Sequence, residues 1–503
     1  MLNGIKELNR DIKNLHKVLP ANDLPYPFAF EPAPPGFKIH TIQKKINWII
    51  PSNVALPKNK NDLAFYSIPQ LASLIKNKKI SSVDLTSFFL NRLKKWNDSL
   101  FCVITFTEEL AMEQAKKADE ELKKGIYRGP LHGIPYGLKD LFAVKGYRTT
   151  YGSAPYKEQV IDYNSFVFEQ LTKAGAVHLA KLSLGALAFN DLWFGGRTNN
   201  PWNFRQGSSG SSAGSASATS AGLLPFAIGS ETWGSIVSPS TRCGVSGLRP
   251  TFGAISRSGA MVLSWSLDKA GPICRSAEDC AIVFAALKGT DGEDPSAINY
   301  AFNYNPAGDV KKLKIAYAEN YFARIPKDGN DWKVLETFKS MGVQLIPVTF
   351  PDSTLYEYDL MNIILSSESA AAFDELTRTN RDDMIERQDK NFWPNIFRTG
   401  RLIPAAEYIN ANRYRTKLMI GLNDFMKQYD VVIVPSFAGN QLAMTNLTGH
   451  PVICVPNGFN RSGTPTSISF LGNLYDEASI LLAAKAFQDK TDHDNKRPPL
   501  IRD

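Results

Sequence analysis

The sequence predicts an α/β protein with a layered sheet. Short runs of β-branched and apolar residues recur along the chain, and segments of helical periodicity separate them. Composition bounds the class: of 503 residues, 43% are apolar and 21% charged, the balance of a soluble globular chain. That balance excludes a disordered protein, a collagen-like fibre and a disulfide-stapled miniprotein.

At the N-terminus Leu2, Ile5, Leu8, Ile12, Leu15 and Leu19 recur three or four apart, one apolar stripe on a helix. Mixed charges on its polar face favour packing on the protein's own body over a membrane or a partner chain. Residues 20–60 are rich in Pro, Asn and Lys and read as a surface arm, so 1–64 is taken as helix plus arm. Residues 68–98 predict two helices, and FCVITF (101–106) a short strand. Thr107 is placed to cap the next helix, which opens on Glu108 and Glu109 and closes on Lys123 and Lys124 before Gly125. Further strands are expected at AVHLAK, LPFAIG, KLKIAY, VQLIPV, VVIVPS and HPVICVP, and GIPYGLKDLFAV is a strand-like apolar run. Residues 353–428 are mostly helical and interrupt the alternation, an expected helical insertion beside the active face.

The net charge of +8 comes from lysines scattered along solvated helices. No long basic tract or RNA-binding signature accompanies it, so nucleic acid is not an expected partner. The five cysteines, Cys102, Cys243, Cys274, Cys280 and Cys454, form neither a CxxC metal pattern nor a disulfide framework. Cys243, among small and aliphatic neighbours, reads as core. No run reaches the roughly 18 apolar residues of a membrane span. Residues 1–20 lack a signal-peptide pattern, so a cytoplasmic location is expected, or a periplasmic or secreted one if a leader was removed.

The chemistry concentrates in residues 207–222, GSSGSSAGSASATSAG. A flexible linker is one reading. Flanking NPWNF and LLPFAIG argue instead for a segment inside the fold, and its alanine-rich second half for a helix with a small face. A second reading takes Gly210 to Gly214 as a G-x-S-x-G nucleophile elbow with Ser212 as nucleophile. That motif needs a hydrophobic strand before it, where NFRQGSS stands, and a histidine base. His450 is correctly placed in chain order, but His132 and His450 lie in Gly/Pro-bounded turns that suit structural roles.

A third reading joins three segments: GPLHGIPYGLKDLFAVKGYRTTYGS with Lys139, GSSAGSA with Ser211, and GSETWGSIVSP with Ser235. In this order and spacing the chain resembles the amidase signature family, which includes fatty-acid amide hydrolases, bacterial peptide amidases, malonamidases and the A subunit of tRNA-dependent amidotransferases. The resemblance covers residues 65–498 and extends through GRTNNPWNF, CGVSGLRPTFGAISRSG, SLDKAGPICRS, NLTGHPVICVPNGF and TDHDNKRPP. It implies a central mixed sheet flanked by helices. The family's bridging serine stands nine residues after the Trp of NPW and 24 before the nucleophile. From Trp202 and Ser235 both counts select Ser211 over Ser208 and Ser209.

Carried over, Lys139 is the general base and acid, Ser211, whose own peptide bond is the cis one in the family, hydrogen-bonds both Lys139 and Ser235 and relays the proton between them, and Ser235 attacks the carbonyl. A serine needs such a base, and burial lets lysine serve by disfavouring its charged form. The implied oxyanion donors are the backbone N–H groups of Thr232, Trp233, Gly234 and Ser235, with Ser212 in support. Asp140 is taken as structural. Three positions depart from the family pattern: Trp233 replaces a frequent Gly, Val237 an Arg and Ala213 a Gly.

The expected function is hydrolysis of a carboxamide through an acyl-enzyme, with esters also cleaved. No cofactor or metal is expected, and the partners are a small-molecule amide and, as an open case, a second copy of the chain. The alternatives are an inactive binding protein on the same fold and the transamidating A subunit. Retention of Lys139, Ser211 and Ser235 argues against the former. Candidate substrate contacts are Asn190, Asp191 and Trp233, followed by Trp193, Phe392 and Trp393, all but Trp233 chosen from chain position.

Overall fold

The computed structural model describes residues 30–351 and 357–501, together with Asn14. The Leu2–Leu19 stripe lies outside the described residues. Eleven strands form one sheet: β1 (Val103–Phe106), β2 (Pro135–Lys139), β3 (Val177–Leu182), β4 (Phe226–Glu231), β5 (Ser246–Arg249), β6 (Lys269–Cys274), β7 (Ile315–Ala318), β8 (Leu345–Val348), β9 (Val431–Pro435), β10 (Val452–Phe459) and β11 (Pro465–Gly472). Their order is β1-β3-β2-β4-β6-β5-β10-β11-β9-β7-β8. β2 runs parallel to both β3 and β4, and β7 to both β8 and β9. The remaining pairs are antiparallel, so the sheet is mixed.

Both faces of this sheet are covered, as alternation on β6 shows. Ile273 packs with Ala216, Ile236 and Cys243 from the helices Ala213–Ser220 and Val237–Cys243 and the turn before the second. Its neighbour Cys274 belongs to the main core with Cys280 of the Ala277–Leu287 helix. All five cysteines are buried and free, and Cys243 is a core residue.

The expected helices appear at Ile68–Lys76 and Ser82–Leu100. Strand β1 starts two residues later than FCVITF suggests, because Phe101 adopts φ +52° and donates its N–H to the Asn97 carbonyl at the helix end. Thr107 precedes the Glu108–Lys123 helix, but the expected side-chain cap is not made. Its hydroxyl instead meets the His178 carbonyl at 2.9 Å and the His178 ring at 3.0 Å. β4 starts only after Pro225, which has no N–H for a ladder.

Three strands of this sheet have no counterpart in the sequence reading: β5 (SGLR), β6 (KAGPIC) and β11 (PTSISFLG). Each carries Gly, Ser or Pro where strand propensity is low, and burial against neighbours decides instead. Pro272 is accommodated in β6 because the ladder to β5 involves only Ile273 and Cys274.

Helices Glu357–Ala372, Trp393–Gly400 and Ala405–Met426 pack together beside the Gln441–Thr448 helix. Glu368 fastens this layer to the loop before β6, accepting from Ser264 Oγ, Ser266 N, Ser266 Oγ and Tyr408 OH. Arg415 adds bonds to Ser266 and to the Leu447 carbonyl.

Candidate active site

Lys139 ends β2, whose five residues are all buried. Its Nζ sits among four oxygens: Ser211 Oγ at 2.7 Å, Ser230 Oγ at 2.9 Å, Ser212 Oγ at 3.1 Å and the Ser230 carbonyl at 3.3 Å. Among the described residues it has no carboxylate partner. Burial brings its pKa down to about 7, against weaker upward pulls from Asp268 and Glu231. A charged lysine offers three N–H donors, whereas a neutral one offers two and a lone pair. Ser212 Oγ already donates to the Ser230 carbonyl at 3.0 Å, so it accepts from the lysine. The Ser211 hydroxyl has no other partner among the described residues and is free to donate to the neutral amine.

The neighbouring Asp140 faces away from this chemistry. It pairs with buried Lys181 at 2.6 Å and accepts from the Thr150 N–H, which anchors the end of β2. That is a structural role.

The serine run splits where the sequence suggests. Ala213–Ser220 is a helix with every residue buried, so the linker reading fails. The residues before it form a loop whose Gly210–Ser211 peptide bond is cis. Asn190 and Asp191 support this loop. The Asp191 carboxylate accepts the Ser209 N–H at 2.9 Å. A Cβ on Gly210 would fall 1.8 Å from the Asn190 carbonyl, so only glycine permits this approach. Gly229 plays the same part opposite Ser212, whose Oγ would lie 2.7 Å from an added Cβ.

Ser235 sits in the turn between β4 and the Val237–Cys243 helix. Its carbonyl accepts the Ser212 N–H at 3.1 Å, which ties the turn to the serine loop. Its hydroxyl makes no hydrogen bond among the described residues, so the bond to Ser211 implied by the resemblance is not formed in this structure. Catalytic hydrogen bonds often tighten only once substrate is bound. The backbone N–H groups of Thr232, Trp233, Gly234 and Ser235 donate to no protein acceptor among the described residues. Gly234 has φ +82°, a left-handed conformation that turns the chain here.

Two carboxylates that the sequence reading did not single out hold this turn. Glu231 Oε2 accepts from the Ile236 and Val237 N–H groups at 2.8 and 3.0 Å. Its Oε1 accepts from Arg249 and Asn446, both at 2.8 Å. Burial alone would raise its pKa, but Arg249 and these donors bring it to about 2. Asp268 accepts from Thr232 Oγ1 at 2.5 Å and from the Leu263 and Ser264 N–H groups. The signal for Glu231 was its place inside GSETWGS. Ser230, which offers Lys139 two oxygens, was equally legible there. Asp268 lies in the segment SLDKAGPICRS, but its contact with Thr232 is set by the pairing of β4 with β6, which no local pattern reveals.

Glu231→Ala should destabilise the fold by about 3–5 kcal/mol, since Arg249 would be left buried without its counter-charge. Denaturant titration measures this. In the wild type the Glu231 contribution should be complete above pH 4.5, the carboxyl's ordinary value, and be lost as pH falls toward about 2. A variant within about 1 kcal/mol of wild type would contradict this account of the turn.

A cavity of about 520 Å³ opens beside the site, its wall including Leu141, Phe142, Ser230, Thr232, Met261 and Lys269. Asn190, Asp191, Trp193, Trp233, Phe392 and Trp393 do not line it. Phe392 and Trp393 pack on Phe189 in the core, with ring centroids 4.7 and 5.2 Å away. The half-buried Trp233 indole meets Tyr358 at 5.6 Å and joins an apolar cluster with Leu267, Leu360 and Met361. It therefore couples the turn to the helical layer.

No histidine reaches Ser212 among the described residues. His450 Nδ1 meets Thr448 Oγ1 at 2.9 Å, and burial brings its pKa down to about 3. His132 Nε2 meets the Ala118 carbonyl at 2.9 Å. The nucleophile-elbow reading therefore lacks its base.

Comparison with known proteins agrees with this geometry. The family model described as Amidase matches residues 84–444. The A subunit of the glutamyl-tRNA(Gln) amidotransferase of Geobacillus kaustophilus is 32% identical over 481 residues, covering 86% of this chain and 99% of the relative. The native peptide amidase of Stenotrophomonas maltophilia superposes with a TM-score of 0.76 at 26% identity, covering 86% of this chain and 98% of that one. A bacterial aryl acylamidase of the amidase signature family shares the fold, with a TM-score of 0.76 at 20% identity, 86% of this chain and 97% of that one being covered. With the buried lysine, the serine loop and the following turn in one site, this chain belongs to the amidase family and has the fold of the amidase signature enzymes.

Proposed function

We propose that this protein hydrolyses a carboxamide to a carboxylate and ammonia or an amine, through an acyl-enzyme on Ser235. The observation that carries this reading is the Lys139–Ser211 contact of 2.7 Å in a buried setting that favours a neutral lysine. Ser235 Oγ attacks the amide carbonyl, its proton passes to Ser211, and the Ser211 proton passes to Lys139. The tetrahedral oxyanion is met by unsatisfied N–H groups in residues 232–235. Collapse expels the amine, which takes the proton back along the same route. Water then cleaves the ester, with Lys139 again as base.

A second reading is favoured by the amidotransferase relatives. There the same first half-reaction would release ammonia to a partner enzyme. An ammonia- and amine-release screen over aliphatic, aryl and peptide amides tests the proposal, with the Ser235→Ala protein as blank. Turnover by the purified chain alone supports hydrolysis. Turnover that requires added partner proteins supports the second reading, and none under either condition contradicts both.

A further inference from the structure

We propose that Asp268 is a positioning residue for the amidase reaction: through Thr232 it fixes the start of the oxyanion turn, and its charge acts on the Lys139 amine. This rests on the amidase reading above and links the base to the turn. Side chains alternate across a sheet, and β4 pairs with β6 with Glu231 opposite Lys269. Ser230 and Thr232 therefore point to one face, and Glu231 and Lys269 to the other. On the first face Ser230 Oγ meets Lys139 Nζ at 2.9 Å. Asp268 immediately precedes β6 and so returns to that face, where its Oδ1 accepts from Thr232 Oγ1 at 2.5 Å. Ser230, Thr232 and Asp268 all line the cavity of about 520 Å³.

One carboxylate thus joins the cavity wall to the turn. The second oxygen of Asp268, Oδ2, accepts the Leu263 and Ser264 N–H groups at 2.8 and 2.9 Å. Thr232 carries the first of the backbone N–H groups that donate to no protein acceptor among the described residues. Such donors stabilise an oxyanion only when they are aimed at it beforehand, and a misplacement of about 1 Å can cost about 10²-fold in rate. The Thr232 hydroxyl is the one side-chain bond that fixes this aim at the start of the turn.

The partners of the Asp268 carboxylate are neutral, and among the described residues no cation lies within 4.0 Å of it. The other charges nearby are committed: Arg257 to Asp294 at 2.8 Å, Asp140 to Lys181 at 2.6 Å and Glu231 to Arg249 at 2.8 Å. Lys269 lies on the Glu231 face. Against the burial that lowers the Lys139 pKa, Asp268 exerts the largest upward pull, ahead of Glu231. Burial raises the pKa of Asp268 itself, while Thr232, Ser264, Leu263 and the Arg257 charge favour its ionised form. Without the Asp268 charge the burial of Lys139 is less opposed, so the neutral base becomes available at a lower pH.

Two variants separate the two roles. Asp268→Asn removes the charge and keeps the shape, and a reoriented Thr232 hydroxyl can accept from the new amide. Thr232→Val removes the hydroxyl and keeps the charge. The Lys139 titration is read without turnover, by NMR of protein carrying isotope-labelled lysine, the Lys139 Cε signal being assigned by its absence from Lys139→Ala. Its midpoint should lie near 7 in wild type and hold there in Thr232→Val. In Asp268→Asn it should fall by about half a pH unit or more. For the amide turned over fastest in the screen, Thr232→Val should lower kcat about fivefold or more with little change in KM, while Thr232→Ser keeps most of the rate. A smaller fall of the midpoint in Asp268→Asn, or a smaller loss of kcat in Thr232→Val, would overturn the proposal. If Asp268→Asn does not fold, Thr232→Val decides alone. A midpoint that falls as expected in a protein that turns over no amide would support the link between Asp268 and Lys139 and count against amide hydrolysis.

Discussion

The Ser235→Ala protein should hydrolyse amides about 10⁴–10⁶-fold more slowly than wild type, the range seen when a nucleophile is removed from a serine hydrolase. The fold should survive, because the Ser235 hydroxyl makes no hydrogen bond among the described residues and its backbone contact with Ser212 is kept. Loss of turnover with unchanged thermal stability is the expected pattern, read from initial rates and a melting curve. A loss smaller than about tenfold would move the nucleophile elsewhere.

The second large effect belongs to Lys139. Lys139→Ala removes the base that contacts the serines and should lower turnover by about 10²–10⁴-fold or more. The pH profile supplies a sign that a merely structural lysine would not. Lys139 must be neutral to accept a proton, and its pKa is brought down to about 7. Wild-type kcat/KM should therefore be low below pH 7, rise through about 7 and level off above it. The Lys139→Ala protein should lose that rise. A flat wild-type profile from pH 5 to 9 would contradict the assignment. The same shift touches stability. An unfolded lysine holds its proton up to about 10.5, so stability should rise with pH between about 7 and 10.5 through this group.

The site was legible where chemistry is written into contiguous residues. Lys139, Ser211 and Ser212, named from the three segments and their spacing, lie together in the fold, and of the two GSS repeats it is the second whose serines Lys139 contacts. The alternating strands and the helical stretch were equally readable, because β-branched runs and helical periodicity are local signals. Strands such as KAGPIC were not, since their residues become strands only when buried neighbours pair with them. Asn190 and Asp191 were found near the site but not in the expected part: chain position brought them under the serine loop, while the cavity is walled by residues 257–270 and 291–296. Trp233 likewise turned toward the helical layer, whose packing no local pattern reveals.

The central claim is that Ser235 carries the acyl group. Its most direct test is labelling with a serine-directed fluorophosphonate, followed by peptide mass spectrometry. One label per chain is expected, on the peptide containing Ser235, and none on the Ser235→Ala protein. A label on the peptide containing Ser212, persisting in Ser235→Ala, would contradict the account.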